Sequence, residues 1–169
     1  MTNRLAIEGS ERNDYATPWP VVRFLERHFN KFDLDPCCYP ETAKAPSLFT
    51  KEDDALSRDW FGHVYINPPW GQPDLSQFIE HAYNQSLQRK TKSIIALIPA
   101  ANTDTHAWHK YIVNGANYVY LIRGRIPFEL DGVRQNSNNV PTAFVIWERT
   151  SPATRARLGS FDVKDIMRG

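Results

Sequence analysis

Two consecutive prolines, Pro68 and Pro69, follow almost directly on the apolar run Val64-Tyr65-Ile66, and they restrict the fold more than any other feature. The run is β-branched and aromatic with no breaker, which reads as a buried strand. A proline donates no backbone hydrogen bond, so two in succession cannot continue a sheet ladder, and the strand has to end at Asn67. The mouth of the sheet then carries an amide side chain, rigid carbonyls that no helix consumes and the aromatic face of Trp70. Such a set suits a flat ring bearing an amine. A proline-rich turn capped by a surface tryptophan is the plainer alternative, and the remaining chain has to decide between them.

That chain alternates strands with helices. Thr17-Pro18 is a helix start, a capping hydroxyl and then a proline whose missing N–H costs nothing there. Val21, Val22, Phe24, Leu25, His28 and Phe29 supply the apolar stripe of a helix ending near Asn30. Phe32-Asp33-Leu34-Asp35 alternates apolar and acidic before Pro36 breaks it, giving either a short strand with Asp35 at its carboxyl end or a turn aspartate before proline. Residues 47–50 read as a second short strand. Glu52, Asp53 and Asp54 crowd three carboxylates together, either a solvated helix start or acceptors for a ligand's hydroxyls and amines.

Beyond the central turn, Asp74 or Ser76 caps a helix running to about Leu87. Residues 93–99 are nearly continuously apolar, like a strand covered on both faces. A helix from about 104 to 113 stops at Asn114-Gly115, and residues 118–122 and 143–147 are the last two strands. This order predicts a doubly wound α/β fold with a mostly parallel sheet. Ligands of such sheets lie outside the carboxyl ends of the strands, where Asp35 and Asn67 are expected. Residues 123–142 are too few for a helical crossover and too many for a tight hairpin, so they form an antiparallel excursion over the same face. Arg123, Arg125, Phe128, Arg134 and the amides from Asn136 to Asn139 suit phosphate and base contacts there, unless the segment is only a solvated loop.

At 169 residues the chain fits one domain: a polar arm at 1–12, the domain at 13–150, and a tail at 151–169 with a short basic helix around Ala153 to Leu158. A net charge of +1 excludes a polybasic coat and leaves nucleic acid only a focal cleft. Cys37 and Cys38 are adjacent, which disfavours a mutual disulfide, and no spacing resembles a zinc site, so a metal-free cytosolic protein is expected. No apolar run is long enough for a signal peptide or a membrane span.

A Thr-Pro helix start, an Asp-Pro-Cys strand end, an acidic cluster running into Asp-Ala-Leu, and then Asn-Pro-Pro-Trp occur in this order. The series resembles the phage-type, Dam-related DNA N6-adenine methyltransferases over roughly residues 13–148. The resemblance implies a single-domain, Rossmann-like methyltransferase fold whose mostly parallel sheet ends in an antiparallel strand. It also implies S-adenosylmethionine as cofactor, DNA as partner and the cytoplasm of a bacterial host as location. By motif, Tyr15, Thr17 and Pro18 lie beside the methionine part of the cofactor, and Asp35, Pro36 and Cys37 replace the usual first cofactor motif. Asp53 and Asp54 face ribose and adenine, Asn67, Pro68, Pro69 and Trp70 form the catalytic motif, and Phe128 faces the target base.

One departure matters. Asp-Pro-Cys-Cys replaces a glycine-rich loop, and the acidic end of a long second strand is missing, which leaves the ribose ligand open between Asp53 and Asp54. There is also no separate target-recognition domain. Methyltransferases acting on cytosine's amine, on RNA adenine or on protein glutamine share the central turn, although serine is commoner than asparagine at its first position for cytosine. An inactive nucleic-acid-binding module of the same fold is the alternative that is not an enzyme.

Overall fold

A computed structural model of the chain describes residues 15–135, 139–149 and 155–168. The expected N-terminal arm lies outside them, as do Asn136, Ser137 and Asn138 of the amide run and the first residues of the expected tail. The elements in chain order are α1 (Trp19–His28), β1 (Leu34–Asp35), β2 (Ser47–Leu48), β3 (Gly62–Ile66), α2 (Asp74–Ser86) and β4 (Thr91–Pro99). After a π-helical segment (Trp108–Val113) come β5 (Tyr118–Arg123), β6 (Glu129–Leu130), β7 (Val133–Arg134), β8 (Thr142–Glu148), β9 (Arg157–Asp162) and α3 (Val163–Met167).

Seven strands form one sheet in the order β2-β1-β3-β4-β8-β5-β9. Only β8 runs against its neighbours, pairing antiparallel with β4 and β5, while the other pairings are parallel. The expected mostly parallel sheet with an antiparallel strand at residues 143–147 is therefore present. That strand is not the last, however. Arg157–Asp162 pairs with β5 along its whole length, so the helix expected around Ala153 to Leu158 is replaced at Arg157 and Leu158 by an edge strand. Leu158 is exposed there, which removed the apolar alternation that announces a strand.

The sheet is covered on both faces, and the period of two along its strands sorts the core into two clusters. Val64, Ile66, Ile94, Ala96 and Ile98 pack beneath Leu75, Ile79 and Ala82 of α2 and Trp108, Tyr111 and Ile112 of the π-helical segment. Tyr65, Ile95, Leu97, Phe144 and Ile146 pack beneath Val21, Val22, Phe24 and Leu25 of α1. Each fully buried aliphatic side chain contributes about 1.5–3 kcal/mol to this two-sided core. The π turn is a tertiary outcome: the Trp147 indole donates to the Tyr111 carbonyl at 2.9 Å, and a Cβ on Gly115 would stand 2.6 Å from that same oxygen.

Two expected helix caps are different in fact. Pro18 is the N-cap of α1, with no side-chain capping bond, because the Thr17 hydroxyl is drawn away to Tyr65. Neither Asp74 nor Ser76 caps α2: Pro73 holds that position, and the Ser76 hydroxyl donates to Gln72 at 2.6 Å.

Parallel pairing brings the carboxyl ends of β1, β3, β4 and β5 to one edge of the sheet. The chain passes from β1 outward to β2 and then back across to β3, so strand order reverses between β1 and β3. A crevice opens at such a reversal. Asp35 and Asn67 flank it.

Candidate active site

The central turn is built as its prolines require. Asn67 is half-buried, Pro68 buried, Pro69 exposed and Trp70 half-buried. Asn67 Nδ2 donates to the Tyr15 carbonyl at 3.0 Å. A carbonyl only accepts, so this contact fixes which end of the amide is nitrogen and turns Oδ1 away from Tyr15. Among the described residues no donor reaches Asn67 Oδ1 or the Pro68 carbonyl. The Trp70 ring meets Phe128 edge-on, centroids 5.3 Å apart at 85°, and its buried Nε1 has no partner.

The segment ahead of α1 is tied to this turn. Thr17 Oγ1 and Tyr65 Oη lie 2.6 Å apart, both buried, and Ala16 exchanges backbone hydrogen bonds with Glu129 at 2.8 and 3.0 Å. Pro18 is buried and Tyr15 exposed. Tyr15, Thr17 and Pro18 are thus gathered beside Asn67, with the Thr17 hydroxyl spent on the fold. The excursion after β5 is a β6–β7 hairpin, whose turn holds Asp131 and Gly132 at φ 50 and 76, the pair of positive values a tight two-residue hairpin demands. Phe128 is buried beneath Trp70 and supports that ring rather than presenting its own face. Arg125 and Arg134 are exposed, and Arg123 lies 3.8 Å from Asp162.

Asp35 closes β1 with its carboxylate buried. Oδ1 accepts from the Cys37 backbone at 3.2 Å and Oδ2 from the Lys44 backbone at 3.0 Å, so its charge holds the loop 36–44 over the strand end. Burial pushes its carboxyl up to about 6, against the opposing pull of those two N–H groups and of the Lys44 ammonium. Pro36 is buried and Cys37 half-buried beside it. Burial also raises both thiols, that of Cys38 to about 12, so neither is a reactive thiolate.

The two aspartates left open by the sequence differ sharply. Asp53 Oδ2 accepts from Thr50 N at 2.9 Å and Thr50 Oγ1 at 3.0 Å, and its Oδ1 lies 3.5 Å from Arg58. These bonds hold its carboxyl below the usual range. Asp54 sits in the left-handed region at φ 51, uncommon for a residue with a Cβ, and its carboxylate has no partner among the described residues. With Leu56, Ser57, Gln77, Glu80, His81 and Asn84 it lines a shallow, open cleft of about 500 Å³ against α2. Lys44 and Glu129 also reach this edge of the sheet, and the sequence reading passed over both. A lysine in a loop and a glutamate after a motif carry no signal of their own.

The donor set fits S-adenosylmethionine in chemistry. Asn67 Oδ1 and the Pro68 carbonyl are open acceptors, Lys44 and Glu129 bring a cation and an anion to the same edge of the sheet, and Asp54 keeps a carboxylate unpartnered among the described residues in its own cleft against α2. No group of three or more metal-ligating side chains occurs among the described residues.

Comparison with known proteins agrees with this chemistry. Residues 6–168 match the family model described as DNA N-6-adenine-methyltransferase (Dam). The chain is 34% identical over 158 residues to the DNA N-6-adenine-methyltransferase of Haemophilus phage HP1, covering 90% of this chain and 88% of that one. It is 30% identical over 124 residues to the DNA N-6-adenine-methyltransferase of Escherichia phage T1, covering 72% of this chain and 49% of the relative. A putative class I S-adenosylmethionine-dependent methyltransferase from Listeria monocytogenes superposes with a TM-score of 0.59 at 15% identity, over 91% of this chain and 68% of that one. That last likeness is one of fold.

Proposed function

This chain belongs to the DNA N-6-adenine-methyltransferase (Dam) family, and from that premise we propose how its own residues carry out the family's reaction. The enzyme transfers a methyl group from S-adenosylmethionine to the exocyclic N6 amine of adenine in DNA. Its substrate nitrogen is a poor nucleophile, because the lone pair is delocalised into the ring.

Asn67 Oδ1 and the Pro68 carbonyl accept the two N–H bonds of that amine and favour its pyramidal form as positive charge develops, an electrostatic device of the oxyanion-hole kind with the sign reversed. The observation that carries this reading is the bond from Asn67 Nδ2 to the Tyr15 carbonyl, since it leaves the amide oxygen, and not the nitrogen, free to face the base. Trp70 stacks on the purine, held upright by Phe128. A base inside a duplex cannot reach this turn, so it is flipped out or offered single-stranded. Arg125 and Arg134, with Arg123 beside them, contact the phosphates around it. No side chain needs to act as base before attack, because the charged product amine loses its proton readily to water.

When bound, S-adenosylmethionine supplies an electrophilic methyl on a sulfonium. The residues that hold it line the crevice between the loop 36–44 and Asn67. Asp54, rather than Asp53, accepts from the nucleoside end, because the Asp53 carboxylate is already bound to Thr50. Asp35 acts by shaping the loop. No helix among the described residues is long and apolar enough to cross a membrane, and the cytoplasm of a bacterial host is where a phage-type enzyme meets its DNA.

A labelled-methyl assay offering DNA, RNA and protein tests the substrate. Label recovered from DNA as N6-methyladenine is the expected result, whereas N4-methylcytosine, or label confined to RNA or protein, would overturn it.

A further inference from the structure

Lys44 carries a charge that the fold leaves unanswered. The residue is only 7% exposed, yet its Nζ donates no hydrogen bond and has no carboxylate at ion-pair distance among the described residues. It stands 4.5 Å from the centroid of the Trp19 ring. Two carboxylates act on it electrostatically, Glu129 more than Asp35, and Asp35 is occupied with the loop. Glu129 is half-buried, and its carboxylate too is without a hydrogen bond or ion pair among the described residues. A half-buried anion and a buried cation therefore attract each other without closing. An ammonium held largely out of water with no anion against it is unfavourable, its Nζ keeps an edge open to solvent, and a ligand bearing both charges would answer both residues at once.

Their position identifies that ligand. Trp19 opens α1 four positions after Tyr15, whose carbonyl holds the Asn67 amide. Ala16, between them, pairs with Glu129, and the Lys44 backbone is bound to Asp35 at the end of β1. Lys44 and Glu129 are thus collected by the same five-residue segment that touches the catalytic turn. A sulfonium has three substituents. In S-adenosylmethionine these are the methyl, the adenosine and an aminobutyrate arm with one carboxylate and one ammonium. With the methyl directed at the amine over Asn67 and the adenosine toward Asp54, the zwitterionic arm is left for the Tyr15–Trp19 side. A DNA phosphate is the poorer match, since a buried lysine is out of reach of a duplex backbone while Arg125 and Arg134 are exposed to it.

Resting on the cofactor assignment above, we propose that Lys44 and Glu129 clamp the amino-acid end of S-adenosylmethionine, Lys44 pairing with its carboxylate and Glu129 accepting from its ammonium. Calorimetry on the full chain tests this with three ligands: S-adenosylmethionine, its decarboxylated form and 5′-methylthioadenosine, which lacks the arm. Lys44→Met is expected to weaken S-adenosylmethionine roughly 10- to 100-fold, the share of one charge-assisted hydrogen bond, and to leave the decarboxylated form unchanged. Glu129→Gln is expected to weaken both of these and leave 5′-methylthioadenosine unchanged. Lys44→Gln, a gentler change beside Trp19, carries the same comparison should the methionine variant fail to fold. Equal weakening of all three ligands by the Lys44 variants would reduce the residue to a structural role, and intact affinity for S-adenosylmethionine would remove it from the site; either overturns the clamp. Failure of the unmodified chain to bind S-adenosylmethionine would overturn the cofactor assignment as well, which distinguishes that failure from the other two.

Discussion

The two ends of the sheet treat polar groups in opposite ways. At the amino end the fold consumes them. Asp33 accepts from the His63 backbone at 2.8 Å, the His63 ring meets Ser93 at 2.8 Å, and the Thr91 hydroxyl donates to the Trp60 carbonyl at 3.0 Å. The buried Trp60 N–H is answered by Gln85 at 2.7 Å, and Asn117 Oδ1 takes the Glu148 N–H at 2.7 Å. At the carboxyl end Asn67 Oδ1, the Pro68 carbonyl, Lys44 and Glu129 are left open. The strands are the same, so the difference is one of purpose: polar groups at one end complete the structure, and at the other they await a ligand. Substitutions at the two ends should therefore separate stability from activity.

Asn67→Ala should break this division first if it is wrong. Its single-turnover methylation rate is expected to fall at least ~100-fold, the size of one lost transition-state contact, with cofactor affinity retained in calorimetry. An undiminished rate would remove Asn67 from catalysis. Asp35, like the Thr17 hydroxyl, is a polar group at that end that the fold does consume, and it offers a pH test. Its folded pKa is raised from 3.8 to about 6, so across that window the folded chain keeps a proton the unfolded chain has released. Its contribution to stability therefore declines as pH rises through the window and is about 3 kcal/mol lower above it. A carboxyl-carbon NMR titration of Asp35 should show a midpoint near 6; a midpoint near 4 would mean that the loop solvates the charge fully.

Gln85→Leu strands the Trp60 N–H at the amino end and should cost about 1–3 kcal/mol in denaturant unfolding, leaving kcat of the folded enzyme unchanged. A fall in kcat with stability intact would contradict the contrast. The smallest expected effect lies within the acidic cluster. Asp54→Asn keeps a residue that tolerates the left-handed region and is expected to weaken S-adenosylmethionine about tenfold without lowering the melting temperature. Asp53→Asn is expected to lower the melting temperature and spare affinity. The reverse pattern would exchange their roles.

What was legible in the sequence was what short-range chemistry dictates. Two prolines after an apolar run end a strand in any context, so Asn67 and Trp70 were placed correctly at the sheet's mouth, and the nearly continuous apolar run from Ser93 to Pro99 gave β4. What was hidden depends on distant partners. The Thr17 hydroxyl reads as a helix cap until Tyr65, 48 positions away, takes it. The turn of the chain at Trp108–Val113 is wound by Trp147, and Arg157–Asp162 becomes a strand only because β5 offers it an edge. Asp53 and Asp54 are indistinguishable in sequence, and only the fold spends one on Thr50 and leaves the other free. Lys44 is the extreme case, since nothing within the loop 36–44 foretells that its charge will be buried over Trp19.

The most direct test of the central claim is a crystal structure of the enzyme with S-adenosylhomocysteine and an adenine-containing oligonucleotide. The adenine N6 should lie about 2.7–3.2 Å from both Asn67 Oδ1 and the Pro68 carbonyl, with Asn67 Nδ2 still on the Tyr15 carbonyl. An adenine amine bound elsewhere, or an Asn67 amide turned so that its nitrogen faces the base, would contradict the account.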